Sequence, residues 1–165
     1  MQKTKTETHQ AGFTLIEVIA VLVIIAIVAA VAISKGISNS QISAVSEADI
    51  LKANLRFAQL KAMQEDQNQN GTTSYWGIYF SGNAYTLYNG STAASINLPS
   101  ETSSTHTFSG GVTAVSPSPN PVSFNDWGSP VDTSGNPLSA SLTITLNSGS
   151  HTAQVTVTQN TGFIQ

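Results

Sequence analysis

Ala11-Gly12-Phe13-Thr14-Leu15-Ile16-Glu17-Val18 opens the stretch whose reading decides the fold. From Phe13 the chain continues without glycine or proline to Ile33, 21 residues carrying a single charge, Glu17. As a helix this run is about 32 Å long at 1.5 Å per residue, enough for a hydrocarbon layer of about 30 Å. The twelve residues before it are polar, with Lys3 and Lys5 as their only cations. Those charges keep the N-terminus on the cytoplasmic side and direct the rest of the chain outward. An ordinary secretory signal has a shorter apolar core and a small-residue cleavage site after it, and Ser34-Lys35-Gly36 is a weak one. An uncleaved signal anchor accounts for the hydrophobicity and the orientation, but not for Glu17.

A carboxylate at mid-bilayer costs roughly 2.5–3.5 kcal/mol on insertion scales and less near the interface, so it is kept where it has a partner. Cutting between Gly12 and Phe13 would create a positive α-amino group four residues before Glu17. Two helices staggered by about one turn then bring the amine of one beside the carboxylate of the other, which favours one axial register. The sequence Ala11-Gly12-Phe13-Thr14-Leu15-Ile16-Glu17 resembles the prepilin cleavage motif of type IV pilins and type II secretion pseudopilins. The resemblance implies that a prepilin peptidase cuts after Gly12 and N-methylates Phe13. It also implies that Glu17 pairs with the Phe13 amine of an adjacent subunit during assembly. Major pilins usually carry a helix-breaking proline near the end of the apolar run. Ser34 and Gly36 stand there instead, which leans toward a minor or pseudopilin component.

Working outward, helical periodicity resumes after a soft joint at 34–40. Ile42, Val45, Ala48, Leu51, Leu55, Ala58 and Ala62 recur at spacings of three and four, predicting one apolar stripe. Glu47, Asp49, Lys52, Arg56 and Lys61 fall mainly off it, acids early and bases late, as a helix dipole prefers. The helix is expected to end between Gln64 and Asn70, before Gly71.

From Ser74 the pattern changes to period two and short apolar runs between turn signals. Tyr75 to Phe80 and Ala84 to Tyr88 flank Ser81-Gly82-Asn83 as a hairpin. Ile96 to Leu98, the neighbourhood of Phe108 to Val112, and Val122 to Trp127 read as further short strands, with Pro117, Pro119 and Pro121 marking a loop. Leu142 to Leu146 turns through Asn147 to Ser150 into Ala153 to Val157. The expected fold is α+β. A long N-terminal helix, membrane-spanning then amphipathic, packs on a C-terminal antiparallel β-sheet head. The divisions are a leader at 1–12, an assembly helix at 13–36, a stalk at 37–70 and a β-rich periplasmic head at 71–165. The segments Ala53 to Ala62 and Val122 to Gly128, and the ending with Leu142 to Leu146, Gly149, Val155 to Val157 and Thr161-Gly162, resemble the GspH/FimT minor pseudopilin family. That resemblance implies a structural, non-enzymatic role in a filament. Its partners are the prepilin peptidase, other pilins or pseudopilins and inner-membrane lipid, and no cofactor is needed. The alternatives are a minor pilin of a surface pilus and a membrane-tethered binding or enzymatic domain that never polymerises.

Composition narrows the classes further. Charged residues are 9% of the chain and the net charge is −3. All six bases lie at or before Lys61, whereas 62–165 holds five acids and no base, a formal −5. Such a surface cannot neutralise phosphates, which argues against nucleic-acid binding. Some FimT-like proteins take up DNA through basic residues near the C-terminus, but here no arginine follows Gly162. With no cysteine, neither disulfides nor cysteine-ligated zinc are available.

Ser150 beside His151, with Asp126 or Asp132, supplies the residue types of a serine hydrolase, but in a hairpin turn where solvated polar groups are the default. Asn125, Asp126, Asp132 and Asn136 offer calcium-type oxygens without EF-hand spacing, and turn formation is the better reading. His106 has no partner at metal-ligand spacing. Trp76 and Trp127 are expected to pack in the core.

Overall fold

A computed structural model describes residues 13–34, 39–65, 74–90 and 92–165. The leader and its cut site at Gly12, the joint at 35–38 and the end of the stalk at 66–73 lie outside the described residues. The chain divides into two compact units, Met1–Ile37 and Ser38–Gln165. In the first, α1 covers Leu15–Ser34, as the apolar run predicts.

The second unit opens with α2, Asn39–Gln64, followed by nine strands among the described residues. Strands β1 (Trp76–Ser81) and β2 (Ala84–Asn89) form the hairpin around Gly82-Asn83. Then come β3 (Thr92–Ala93), β4 (Thr105–Thr107), β5 (Thr113–Ala114), β6 (Val122–Phe124) and β7 (Pro130–Val131). The chain finishes with β8 (Leu142–Ser148) and β9 (His151–Val157). All pairings are antiparallel. One sheet runs β3-β2-β1-β6-β7 with β4 also paired to β2, and a second runs β5-β8-β9. The α+β arrangement is the expected one, with the head split between two sheets.

Both sheets pack on α2, through β1 and β6 of the first and β8 and β9 of the second. The helix turns Ala44, Ala48, Leu51, Leu55, Ala58 and Ala62 inward. Those from Ala48 onward share one core with Ile78, Phe80, Leu87 and Phe124 of one sheet and Ile144, Leu146, Val155 and Val157 of the other. Every residue of this core belongs to Ser38–Gln165, so the second unit has its own reason to fold. The expected stripe is displaced at its start: Ile42 and Val45 are 54% and 51% exposed, while Glu47 and Asn54 point inward. The inward face follows 44, 47, 48, 51, 54, 55, 58, 62, an equally regular helical spacing that contains two polar residues.

Other expectations shift by smaller amounts. Ile96 to Leu98 forms no strand, although Leu98 is buried. Near Phe108 the strand precedes the phenylalanine, at Thr105–Thr107. The proline segment does a strand's work at one residue. β6 pairs with β1 only from Trp76 to Ile78. Beyond it, the Asn120 side chain accepts from Phe80 N at 3.0 Å and donates to Phe80 O at 2.9 Å. Backbone groups of β1 that would otherwise be unpaired are thereby satisfied.

The tightest joint ties the end of the chain to the stalk. Gln59 Nε2 donates to Gly128 O at 2.7 Å and to Gly162 O at 3.0 Å, and Arg56 Nη2 donates to Ile164 O at 2.9 Å. Gly162 has φ +64°, and a Cβ there would stand 2.0 Å from Gly128 O. Gly162→Ala is therefore expected to destabilise the second unit by about 2–4 kcal/mol, through left-handed backbone strain and overpacking together. Urea unfolding of the two forms would measure it. A loss under about 0.5 kcal/mol, the usual range for innocuous surface changes, would contradict the close approach.

Candidate functional site

Thr14 starts α1. Its Oγ1 accepts from Glu17 N at 3.3 Å, and its carbonyl accepts from Glu17 N at 3.1 Å and Val18 N at 3.3 Å. Thr14-Leu15-Ile16-Glu17 has the spacing of a capping box, in which a carboxylate at the third helical position would reach back to the cap's N–H. Only the threonine half is made: among the described residues, nothing donates to the Glu17 carboxylate. Glu17 shares one side of the helix with Phe13, Val18, Val21 and Leu22. All described side chains from Phe13 to Ala30 are exposed in the isolated chain. The result is an uncovered apolar rod with one carboxylate close to its N-terminal end. Among the described residues no helix is long and apolar enough to cross a membrane.

The second unit contains a buried polar cluster that sequence reasoning missed. His106 lies between two carboxylates, with Nδ1 2.6 Å from Glu101 Oε1 and Nε2 2.8 Å from Glu47 Oε2, so that the protonated imidazolium donates to both. The other oxygen of Glu47 accepts from Ser109 N at 2.9 Å and from Ser109 Oγ at 2.6 Å. The Tyr85 ring lies 4.9 Å from the imidazole, and Tyr85 Oη accepts from Asn54 Nδ2 at 2.8 Å. Burial by itself would push the Glu47 carboxyl up. The hydrogen bonds from Ser109 and His106, and the imidazolium charge, outweigh it and hold the carboxyl below its ordinary 4.5. Burial likewise opposes charge on His106, but the hydrogen bonds to Glu101 and Glu47 and their negative charges raise it above its ordinary 6.5. Glu47, expected on the outer face, is thus turned in, and His106 has partners that lie 59 and 5 residues away in sequence. The available signal was Glu47 standing four residues before Leu51 on the alanine-leucine face.

The cluster ties α2 to the segment 101–109. Ser109 bonds the Glu47 carboxylate and not the imidazole, and both imidazole nitrogens face carboxylates, so the histidine does not face the hydroxyl as it does in a Ser-His-Asp triad. Nor do Ser150 and His151 meet Asp126. The turn at Gly149 lies beside Ser40, whereas Gly128 is held by Gln59. Nineteen helical residues, about 28 Å, separate those two points on α2.

Asn125 Oδ1 accepts from Trp127 N and Ser129 N, at 3.1 and 2.9 Å. Asp132 Oδ1 accepts from Ser134 N and Asn136 N, both at 2.8 Å. These oxygens close their own turns, and among the described residues no group of three or more His, Asp or Glu side chains could hold a metal ion. Trp76 is buried as expected, but Trp127 is 86% exposed, because the 125–129 turn carries it out of the sheet.

Residues 8–33 match the family described as the prokaryotic N-terminal methylation motif, a span that includes Gly12, Phe13 and Glu17. Through that motif and its α+β fold the chain is type IV pilin-like. The motif implies processing by prepilin peptidase and assembly with other pilins. Neither the curated proteins nor the solved structures yield a match to the chain.

Proposed function

We propose that the protein is a minor pseudopilin of the H type, of the GspH/FimT kind, in a type II secretion system. The observation that carries this reading is the Gly12-Phe13 junction followed by Glu17 in an otherwise apolar run inside the methylation motif. A prepilin peptidase removes residues 1–12 and methylates the Phe13 amine. The 21-residue apolar run anchors the precursor in the inner membrane with its N-terminus inside and its β-rich head in the periplasm. During assembly the Glu17 carboxylate takes the Phe13 amine of a neighbouring subunit, and the helix leaves the lipid for the filament. The role is structural: filament initiation or cargo contact, without catalysis, cofactor or nucleic acid. The base-free segment 62–165 supports the last point.

The system is tested by deletion in the native host. Loss of the gene is expected to strand secreted proteins in the periplasm while surface pili remain normal. Loss of pili with secretion intact would overturn the secretion reading in favour of a minor pilin.

A further inference from the structure

Imidazole carries two N–H groups when protonated and only one when neutral. His106 is buried with a carboxylate at each ring nitrogen, Glu101 at 2.6 Å and Glu47 at 2.8 Å. Both bonds exist together only in the imidazolium. When a proton leaves, one nitrogen turns a lone pair toward a negative oxygen, and that bond is lost. Burial decides which. The Glu47 side chain is 3% exposed and also accepts from Ser109 N and Oγ, so water does not replace its donors. The Glu101 side chain is 33% exposed and is hydrated readily once free. The remaining proton therefore stays on Nε2 against Glu47, and the bond from Nδ1 to Glu101 is the one that breaks.

That bond holds a strained turn. Leu98 N donates to Ser103 O at 2.9 Å, Glu101 N to Leu98 O at 3.1 Å and Thr105 N to Ser103 Oγ at 3.0 Å, so the turn is bonded largely to itself. Ser100 at its tip has φ +64°, a left-handed conformation that a residue with a Cβ keeps only where its surroundings impose it. Leu98 at its base is part of the core. The Glu101 side chain joins this turn to the clamp that Glu47 and Ser109 complete on α2. Among the described residues, the titratable groups facing His106 are Glu47 from α2, Glu101 from the turn and Tyr85 from β2, its ring 4.9 Å away. Burial pushes the Tyr85 hydroxyl well above its ordinary 10, so it stays neutral beside the imidazole. We propose that His106 is a proton lock on the turn 98–103, closed while both ring nitrogens carry protons and released at Glu101 when one is lost. Burial opposes charge on His106, but the two carboxylates outweigh it and raise it above its ordinary 6.5. The lock is therefore fully closed below 6.5 and opens as pH climbs through the folded value above that.

Hydrogen exchange of the full-length protein in detergent micelles tests this. After correction for the intrinsic base-catalysed rate, protection at 98–104 is expected to fall by about tenfold per pH unit across the transition, as loss of one proton requires. Amides of β8 and β9 should stay better protected than the turn throughout, since they open only with the whole unit. Nitrogen NMR shifts of the His106 ring should show both nitrogens protonated on the acid side and the Nε2–H tautomer on the alkaline side. Glu101→Gln should abolish the step and leave the turn closed, because a side-chain amide accepts from Nδ1–H and equally donates to its lone pair. Equal protection in the turn and in β8 and β9 at every pH would overturn the proposal. So would an alkaline Nδ1–H tautomer, a step that survives Glu101→Gln, or a turn loosened by that substitution at every pH. None of these results bears on processing at Gly12 or on Glu17.

Discussion

Glu17→Ala is expected to remove the protein from filaments while leaving it processed and membrane-bound. The isolated chain offers this carboxylate no partner among the described residues, since Thr14 caps the helix and Glu17 does not reciprocate. Around it stand Phe13, Val18, Val21 and Leu22. In such surroundings a charge is stable only beside an opposite one, and in the proposed assembly that is the Phe13 amine freed by cleavage. Breaking a buried ion pair by removing one member typically costs about 3 kcal/mol or more, or about a hundredfold in incorporation. The amount of protein in sheared filaments, relative to membranes, gives the result. Membrane insertion should not suffer, because an intramembrane carboxylate opposes it. If Glu17→Ala entered filaments at the normal level, the pairing role would be wrong. If the protein kept a full activity without polymerising, the tethered-domain reading would replace it.

Glu47→Ala is the corresponding expectation for the head. It strips the acceptor from Ser109 N, Ser109 Oγ and one nitrogen of a buried His106, and leaves a cavity on the inner face of α2. A loss of about 3 kcal/mol in unfolding free energy is expected, enough to unfold a marginal domain.

The same cluster sets a pH dependence. His106 is raised, so its contribution is fully present below its ordinary 6.5 and is lost as pH climbs through the folded value above that. Glu47 is lowered, so its contribution is present above its ordinary 4.5 and is lost as pH falls through the folded value below that. The clamp's contribution is therefore largest between 4.5 and 6.5 and declines on both sides. Thermal melts across pH would trace this, and His106→Gln should flatten the alkaline side. A wild-type profile unchanged by His106→Gln would contradict the clamp.

Much of this was legible because it depends on local rules. An apolar run without glycine or proline can only be a helix of fixed length, and Gly82-Asn83 and Gly149-Ser150 between alternating residues can only be tight turns. What escaped depends on partners distant in sequence. Glu47 looks like a solvated charge until His106, 59 residues on, is folded against it. Ile42 and Val45 look like core, but the two sheets meet α2 along a line one step around the helix. Trp127 looks like core because it follows a strand, yet Asn125 turns the chain before the ring can enter. Asn120 looks like loop because prolines surround it, yet its amide completes β1. Gly12, Phe13 and Glu17 stand close together in sequence, so the methylation motif that matches residues 8–33 can be read without any distant partner.

The most direct test is the mass of the N-terminal peptide of the protein recovered from membranes of its own host. The account predicts a chain beginning at Phe13 with a methylated α-amine. A terminus still at Met1, in cells whose prepilin peptidase is active, would contradict it.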